Sequence, residues 1–140
     1  MATIVKAEVT TDVLDADHFR KLVSDPSAGA VVIFSGDVRN HDGGKGVASL
    51  TYEAHPDAQK VLAQVVDQVT RDSELVKVAV AHRHGPIAIG ECAFLVCVSA
   101  AHRQAAFAGC QAIVDEVKLQ IPIWKHQVFA DGTDEWVNSA

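Results

Sequence analysis

In the second half of the chain, Ser99-Ala100-Ala101-His102-Arg103 opens a helical stretch and Lys118-Leu119-Gln120-Ile121-Pro122-Ile123-Trp124-Lys125 follows it. Cations at both ends of one element, in a chain of net charge -6, point to a pocket built for an anion. Arg103, and His102 when protonated, stand in the first turn against the positive end of the helix macrodipole, where an acidic residue is the stabilising choice. A bound anion resolves that conflict, because the N–H groups of a first turn already favour phosphate or carboxylate. The plain alternative is a solvated helix start.

Two lysines near one pocket have a specific use. Each ammonium disfavours the charged form of the other, which moves a lysine toward service as base or nucleophile; otherwise the pair neutralises an anionic substrate. The sequence leaves both roles open. Along the helix from about Ala100 to Lys118, the rotation of about 100° per residue places Phe107, Cys110, Val114 and Val117 on one stripe, with Arg103 and Lys118 on or beside it. Snorkelling, with aliphatic stems over core and charged heads in water, explains the same placement. Pro122 stops the helix, and the extended run after it turns Ile123 and Lys125 to one side and Trp124 to the other.

The elements that must carry these groups follow from periodicity. Met1 to Val9 alternates as a strand, Asp15 caps a helix to about Val23, and the residues from Ser24 to Gly29 form a turn. The apolar run Ala30-Val31-Val32-Ile33-Phe34-Ser35 reads as a strand buried on both faces, with Val47 to Glu53 as its neighbour. Between them lies a long Gly-rich loop, 36–46, carrying Arg39, His41 and Lys45, and loops of that length inside a compact domain are commonly functional. Pro56 fits the first turn of a packing helix with Ala58, Val61, Leu62, Val65 and Val69 on its apolar side. Leu75 to His82 and Glu91 to Val98 read as strands, the second feeding a helix capped by Ser99. Asp131-Gly132 then marks a hairpin between Lys125–Ala130 and Thr133–Val137. Crossovers mixed with hairpins give an α+β fold with a mixed sheet and hairpin additions, one domain over 1–140.

Composition narrows the class. At 140 residues and 49% hydrophobic content the chain can bury a core without staples. No apolar run approaches the roughly 20 residues of a membrane helix, and the amino terminus lacks the pattern of a signal peptide, so a cytoplasmic protein without membrane association is expected. A pI near 5.5 argues against a nucleic-acid surface. Cys92, Cys97 and Cys110 sit in apolar runs without Cys-x-x-Cys spacing and read as buried reduced thiols.

Five segments carry a resemblance, in order: Phe34-Ser35-Gly36-Asp37-Val38-Arg39-Asn40-His41, Leu50-Thr51-Tyr52-Glu53-Ala54, His82-Arg83-His84-Gly85, Ser99 to Phe107, and Lys118 to Lys125. Together they resemble the successive motifs of the large, catalytic subunits of molybdopterin synthase, from about residue 30 to Trp136. The resemblance implies an α/β-hammerhead fold with an additional antiparallel β subdomain. It also implies a homodimer within a heterotetramer, each large subunit carrying a small ubiquitin-like sulfur-carrier subunit. The implied activity is a sulfurtransferase reaction of molybdenum cofactor biosynthesis. Cyclic pyranopterin monophosphate becomes molybdopterin, with two sulfurs supplied by the partner's carboxy-terminal thiocarboxylate and with no cofactor or metal. By resemblance, Asp37, Val38 and Arg39 line the substrate site, His102 and Arg103 grip the phosphate, and Lys118 and Lys125 are the catalytic, substrate-contacting pair. His126 and Gln127 lie beside the substrate. The chain departs from the family pattern at Asp37, where lysine is common, and at His126-Gln127, where an Arg-Glu type of pair is common.

Two other classes compete. His82 and His84 on one strand face, completed by His102 or His126, suggest a zinc-dependent hydrolase, although carboxylates at ligand spacing are missing. A non-catalytic phosphate-binding adaptor needs the anion grip but no paired lysines. Gly43-Gly44-Lys45-Gly46 is not a P-loop, since no Ser or Thr follows the lysine. Helix geometry adds a constraint: about 15 residues at 1.5 Å each separate Arg103 from Lys118 by roughly 22 Å, too far for both to touch one small substrate. Composite sites across a two-fold dimer are therefore expected, with Lys118 and Lys125 from one chain and His102 and Arg103 from its mate.

Overall fold

A computed structural model of the chain describes residues 2–138, so Met1 and the last two residues of the expected domain lie outside the described residues. The first half comprises β1 (Thr3–Thr10), α1 (Ala16–Leu22), β2 (Ala30–Asp37), β3 (His41–Asp42), β4 (Lys45–Ala54) and α2 (Ala58–Thr70). The second half comprises β5 (Leu75–Arg83), β6 (Gly85–Ile87), β7 (Cys92–Ala100), α3 (Arg103–Gln120), β8 (Ile123–Phe129) and β9 (Asp134–Asn138). This is the α+β class read from the sequence. A mixed sheet of order β1-β5-β7-β2, with β1 parallel to β5 and the other pairs antiparallel, stands beside an antiparallel sheet of order β3-β4-β8-β9 in which β6 also pairs with β4.

The mixed sheet is covered on both faces. On one, Leu62, Val65 and Val66 of α2 and Ala106, Cys110, Ile113 and Val117 of α3 meet Val78, Val80, Val96 and Val98. On the other, Phe19 and Val23 of the α1 region close over Ala79, Ala81, Leu95 and Cys97. Helix α1 starts as expected, with Asp15 Oδ1 accepting from the N–H groups of Asp17 and His18 at 3.0 and 3.4 Å.

Several expectations are corrected. The run Ala30–Ser35 is an edge strand, with Ile33 41% exposed, and the doubly covered strands are β5 and β7. Apolar content alone does not separate a central strand from an edge strand that a helix packs against. Strand β4 is not its neighbour: β2 pairs with β7, and β4 pairs with β8 across to the second sheet. The intervening loop contributes its own short strand, β3, which pairs with the start of β4. Ser99 does not cap α3, because it lies buried in β7 and its Oγ accepts from the Lys77 N–H at 3.2 Å; the cap position is His102. Pro56 precedes the cap Asp57 of α2 and does not enter its first turn. Phe107 is 63% exposed, since α3 is turned so that Ala106 and Ile113 enter the core in its place. That orientation follows the close approach at Gly109, where a Cβ would lie 2.6 Å from a Leu75 methyl.

Candidate functional site: a cationic recess at the end of the third helix

The chain after α3 turns at Ile121-Pro122 and enters β8, which pairs with β4 in a register setting Lys125 opposite Tyr52 and Gln127 opposite Leu50. Alternation along β8 sends Lys125 and Gln127 to one face and Trp124 and His126 to the other. Lys118, in the last turn of α3, and Lys125 line the same cavity of about 220 Å³, together with Gly36, Asp37, Arg39 and Tyr52. A smaller adjoining hollow shares Asp37, Arg39, Tyr52 and Lys125 and adds Val38, Asp42 and Gln127. Two lysines and one arginine, from a helix end, a strand and a loop, thus converge on one recess.

The floor is aromatic and apolar. Tyr52 is buried, and burial pushes its phenol up to about 12, so it remains a protonated O–H at neutral pH. Behind it, His82 stacks on Phe94 at 5.2 Å between centroids and meets Tyr52 edge-on at 5.2 Å. Burial holds the His82 imidazole down at about 4, with the nearby Lys118 charge a smaller contribution, and its Nδ1 lies 2.9 Å from the Arg83 carbonyl.

The loop residues are pinned individually. The Val38 N–H donates to Glu91 O at 3.0 Å and its carbonyl accepts from Gly90 N–H at 2.8 Å. Asp37 accepts from Ser35 Oγ at 2.5 Å. Arg39 is exposed and reaches Asp42 at 3.4 Å. Asp42 also accepts from the Gln127 side-chain amide at 2.5 Å. That hydrogen bond first, then the Lys125 and Arg39 charges, hold the Asp42 carboxyl below the usual carboxylate range against the opposing effect of burial.

Of the nine residues singled out in the sequence, Asp37, Val38, Arg39, Lys118, Lys125 and Gln127 come together here. His126 turns the other way, where it stacks on Trp136 at 4.3 Å and its Nε2 meets Asp134 at 2.9 Å. His102 and Arg103 stand at the far end of α3, exposed, with no side-chain cap hydrogen bond and no acidic residue in the first turn. Helix α3 runs unbroken from Arg103 to Gln120, so the separation of roughly 22 Å between its ends holds.

Sequence reasoning missed Asp42, Tyr52 and Phe94 as parts of the recess. Asp42 carried a local signal, a carboxylate three residues after Arg39 in a Gly-rich loop, and Tyr52 lies within one of the five segments of the resemblance. That Tyr52 of β4 and Phe94 of β7 meet at the recess is a matter of strand placement that no local pattern encodes. His84 falls just beyond β5, and no three His, Cys, Asp or Glu side chains group as metal ligands among the described residues. The His82–His84 zinc reading therefore finds no ligand set there.

Residues 9–120 match the family model described as MoaE protein. A molybdopterin synthase catalytic subunit of Staphylococcus carnosus is 37% identical over 131 residues, 93% of this chain and 87% of the relative. The crystal structure of molybdopterin synthase from Staphylococcus aureus aligns with a TM-score of 0.84 at 31% identity, over 94% of this chain and 96% of that one. A protein complex of subunits 1 and 2 of the molybdopterin-converting factor from Helicobacter pylori contains a chain of the same fold. That chain has a TM-score of 0.69 at 20% identity, over 98% of this chain and 88% of its own length. Fold and relatives define the class, an enzyme subunit of molybdenum cofactor biosynthesis. The chain belongs to the MoaE family, the catalytic subunits of molybdopterin synthase.

Proposed function

We propose that the recess between Lys118 and Lys125 is where cyclic pyranopterin monophosphate becomes molybdopterin, by sulfur transfer from the thiocarboxylated carboxy-terminus of a small ubiquitin-like subunit. The observation that carries this reading is the convergence of Lys118, Lys125 and Arg39 on one cavity in a chain of net charge -6. Substrate phosphate and thiocarboxylate are both anionic, and fixed cations offset their repulsion where the two must meet. Lys118 assists attack of the sulfur or stabilises the acyl-linked intermediate. Lys125 supports charge and proton movement, and water releases the spent carboxylate. The sulfur comes from the partner, since burial raises the Cys97 thiol to about 12 and the Cys110 thiol to about 11, and raises that of Cys92 as well. An adaptor would need the cations but not their arrangement around a closed floor.

The phosphate grip belongs to the second subunit of a homodimer. Phe107 and Val114 line an apolar groove of about 340 Å³ between α3 and the edge strand β2. Arg103 and Lys118 bracket that stretch of helix. An isologous contact along it, with the two copies of α3 antiparallel, brings the His102-Arg103 end of one chain to the Lys118 end of the other.

The test is single-turnover reaction of the chain with a thiocarboxylated ubiquitin-like partner and the cyclic pterin. Dithiolene product is expected with the thiocarboxylate and none with the partner's plain carboxylate. Product formation independent of the thiocarboxylate would overturn the reading.

A further inference from the structure

Asp42 presents a problem for a recess that handles anions. Its carboxylate sits beside Arg39 and Lys125, where it weakens the field that an anionic substrate meets. A fixed negative charge in that place does not serve to bind the substrate. Its contacts show what it does instead. One oxygen meets the Arg39 guanidinium at 3.4 Å, and the other accepts from Gln127 Nε2 at 2.5 Å. Gln127 is 1% exposed and lies on β8 two residues beyond Lys125, on the same face. Asp42 itself ends the two-residue strand β3, three residues after Arg39. The exposed Arg39 pair is weak by itself, but the bond to a buried amide fixes the carboxylate to which Arg39 is drawn.

We infer that Asp42 is a positioning residue that ties the Arg39 loop to strand β8 and so sets the placement of Arg39 relative to Lys125. The inference rests on the reading of the recess as the reaction site. Its cost in substrate affinity is offset by cations held where the developing charge appears, since misplacement of such groups by about 1 Å is enough to cost about a hundredfold in rate. The arrangement also predicts its own repair. In Asp42→Asn with Gln127→Glu the bond reverses direction: the amide introduced at position 42 would donate to the carboxylate introduced at position 127, and its carbonyl oxygen would still accept from Arg39. Net charge is unchanged.

The experiment compares wild type, Asp42→Ala and the Asp42→Asn/Gln127→Glu double variant, each in complex with the thiocarboxylated partner. In Asp42→Ala, kcat falls about tenfold while KM for the pterin stays level or drops, because an anion has left the recess. The double variant recovers kcat to within about threefold of wild type. A second readout does not depend on turnover. The ¹⁵N relaxation of the Arg39 Nε–H group reports an ordered side chain in wild type and in the double variant, and a mobile one in Asp42→Ala. Thermal melting of all three shows whether folding is intact. A raised KM with unchanged kcat, absence of rescue in a folded double variant, or equal Arg39 mobility in all three would overturn the inference. Failure of wild type itself to form product would fall on the proposed reaction, and the relaxation result would still decide the role of Asp42.

Discussion

The two ends of α3 carry similar residues in opposite circumstances. At the carboxyl end, Lys118 complements the negative pole of the macrodipole, and Tyr52, Phe94, Arg39 and Lys125 enclose the space it faces. At the amino end, His102 and Arg103 oppose the positive pole, with no acidic residue in the first turn and no side-chain cap hydrogen bond. One end faces a cavity lined by other side chains of the same chain. The other stands exposed, and the unbroken helix between them sets the two roughly 22 Å apart. In the proposed dimer a helix of this length acts as a spacer, and a second subunit that reverses its direction would bring the cations of the far end to the pocket.

The largest effect that tests this contrast is on Lys118. Lys118→Ala is expected to lower turnover by about a thousandfold with the partner complex still assembled, as for loss of a group acting in the transition state. Arg103→Ala should mainly raise KM, by about tenfold, as for loss of uniform binding. Matching losses of substrate affinity in both variants would erase the distinction between the ends.

Subunit mixing asks where the ends meet. Under limiting substrate the Lys118→Ala homodimer is nearly inactive and the Arg103→Ala homodimer keeps about a tenth of wild-type activity. After random exchange half the dimers are mixed and each holds one intact site, so about a quarter of wild-type activity returns. Verified exchange without recovery would place both groups in one chain's pocket.

A smaller effect distinguishes the floor of the closed end. His82 is held at about 4, below its ordinary 6.5, so between those pH values the unfolded chain binds a proton that the folded chain excludes. Its contribution is therefore present above pH 6.5 and is lost as pH falls toward 4, by about 3 kcal/mol. Urea unfolding of His82→Phe across this window should give a flatter curve than wild type, and parallel curves would remove His82 from the account. The smallest expected effect is on the thiols. Replacing Cys92, Cys97 and Cys110 together by Ala should leave sulfur transfer per folded molecule within about twofold, although the two buried positions destabilise the fold. Loss of transfer in a well-folded triple variant would show that the chain's own sulfur takes part.

Much of this molecule is legible in its residues. The 3.6-residue and two-residue periods locate α2, α3 and the longer strands but not the short β3 and β6, Asp131-Gly132 places the last hairpin, and Pro122 ends α3, all because these signals act within a few residues of themselves. The alternation along β8 was enough to separate Lys125 from Trp124. The cations at the two ends of α3, and the length that keeps them apart, needed nothing beyond the chain. Tertiary structure alone decided which apolar run is central and which is an edge, since pairing partners are chosen by distant segments: β2 went to β7, and β4 to β8. It turned Phe107 outward by packing Gly109 against Leu75, and it took Ser99 from the helix cap into a strand. It also brought Asp42 to Gln127, 85 positions apart, in a bond of 2.5 Å. Local patterns report which face of an element is apolar; which surface it meets there depends on how the whole chain fills its core, and the recess exists only where a helix end, a strand and a loop are brought to one place by that filling.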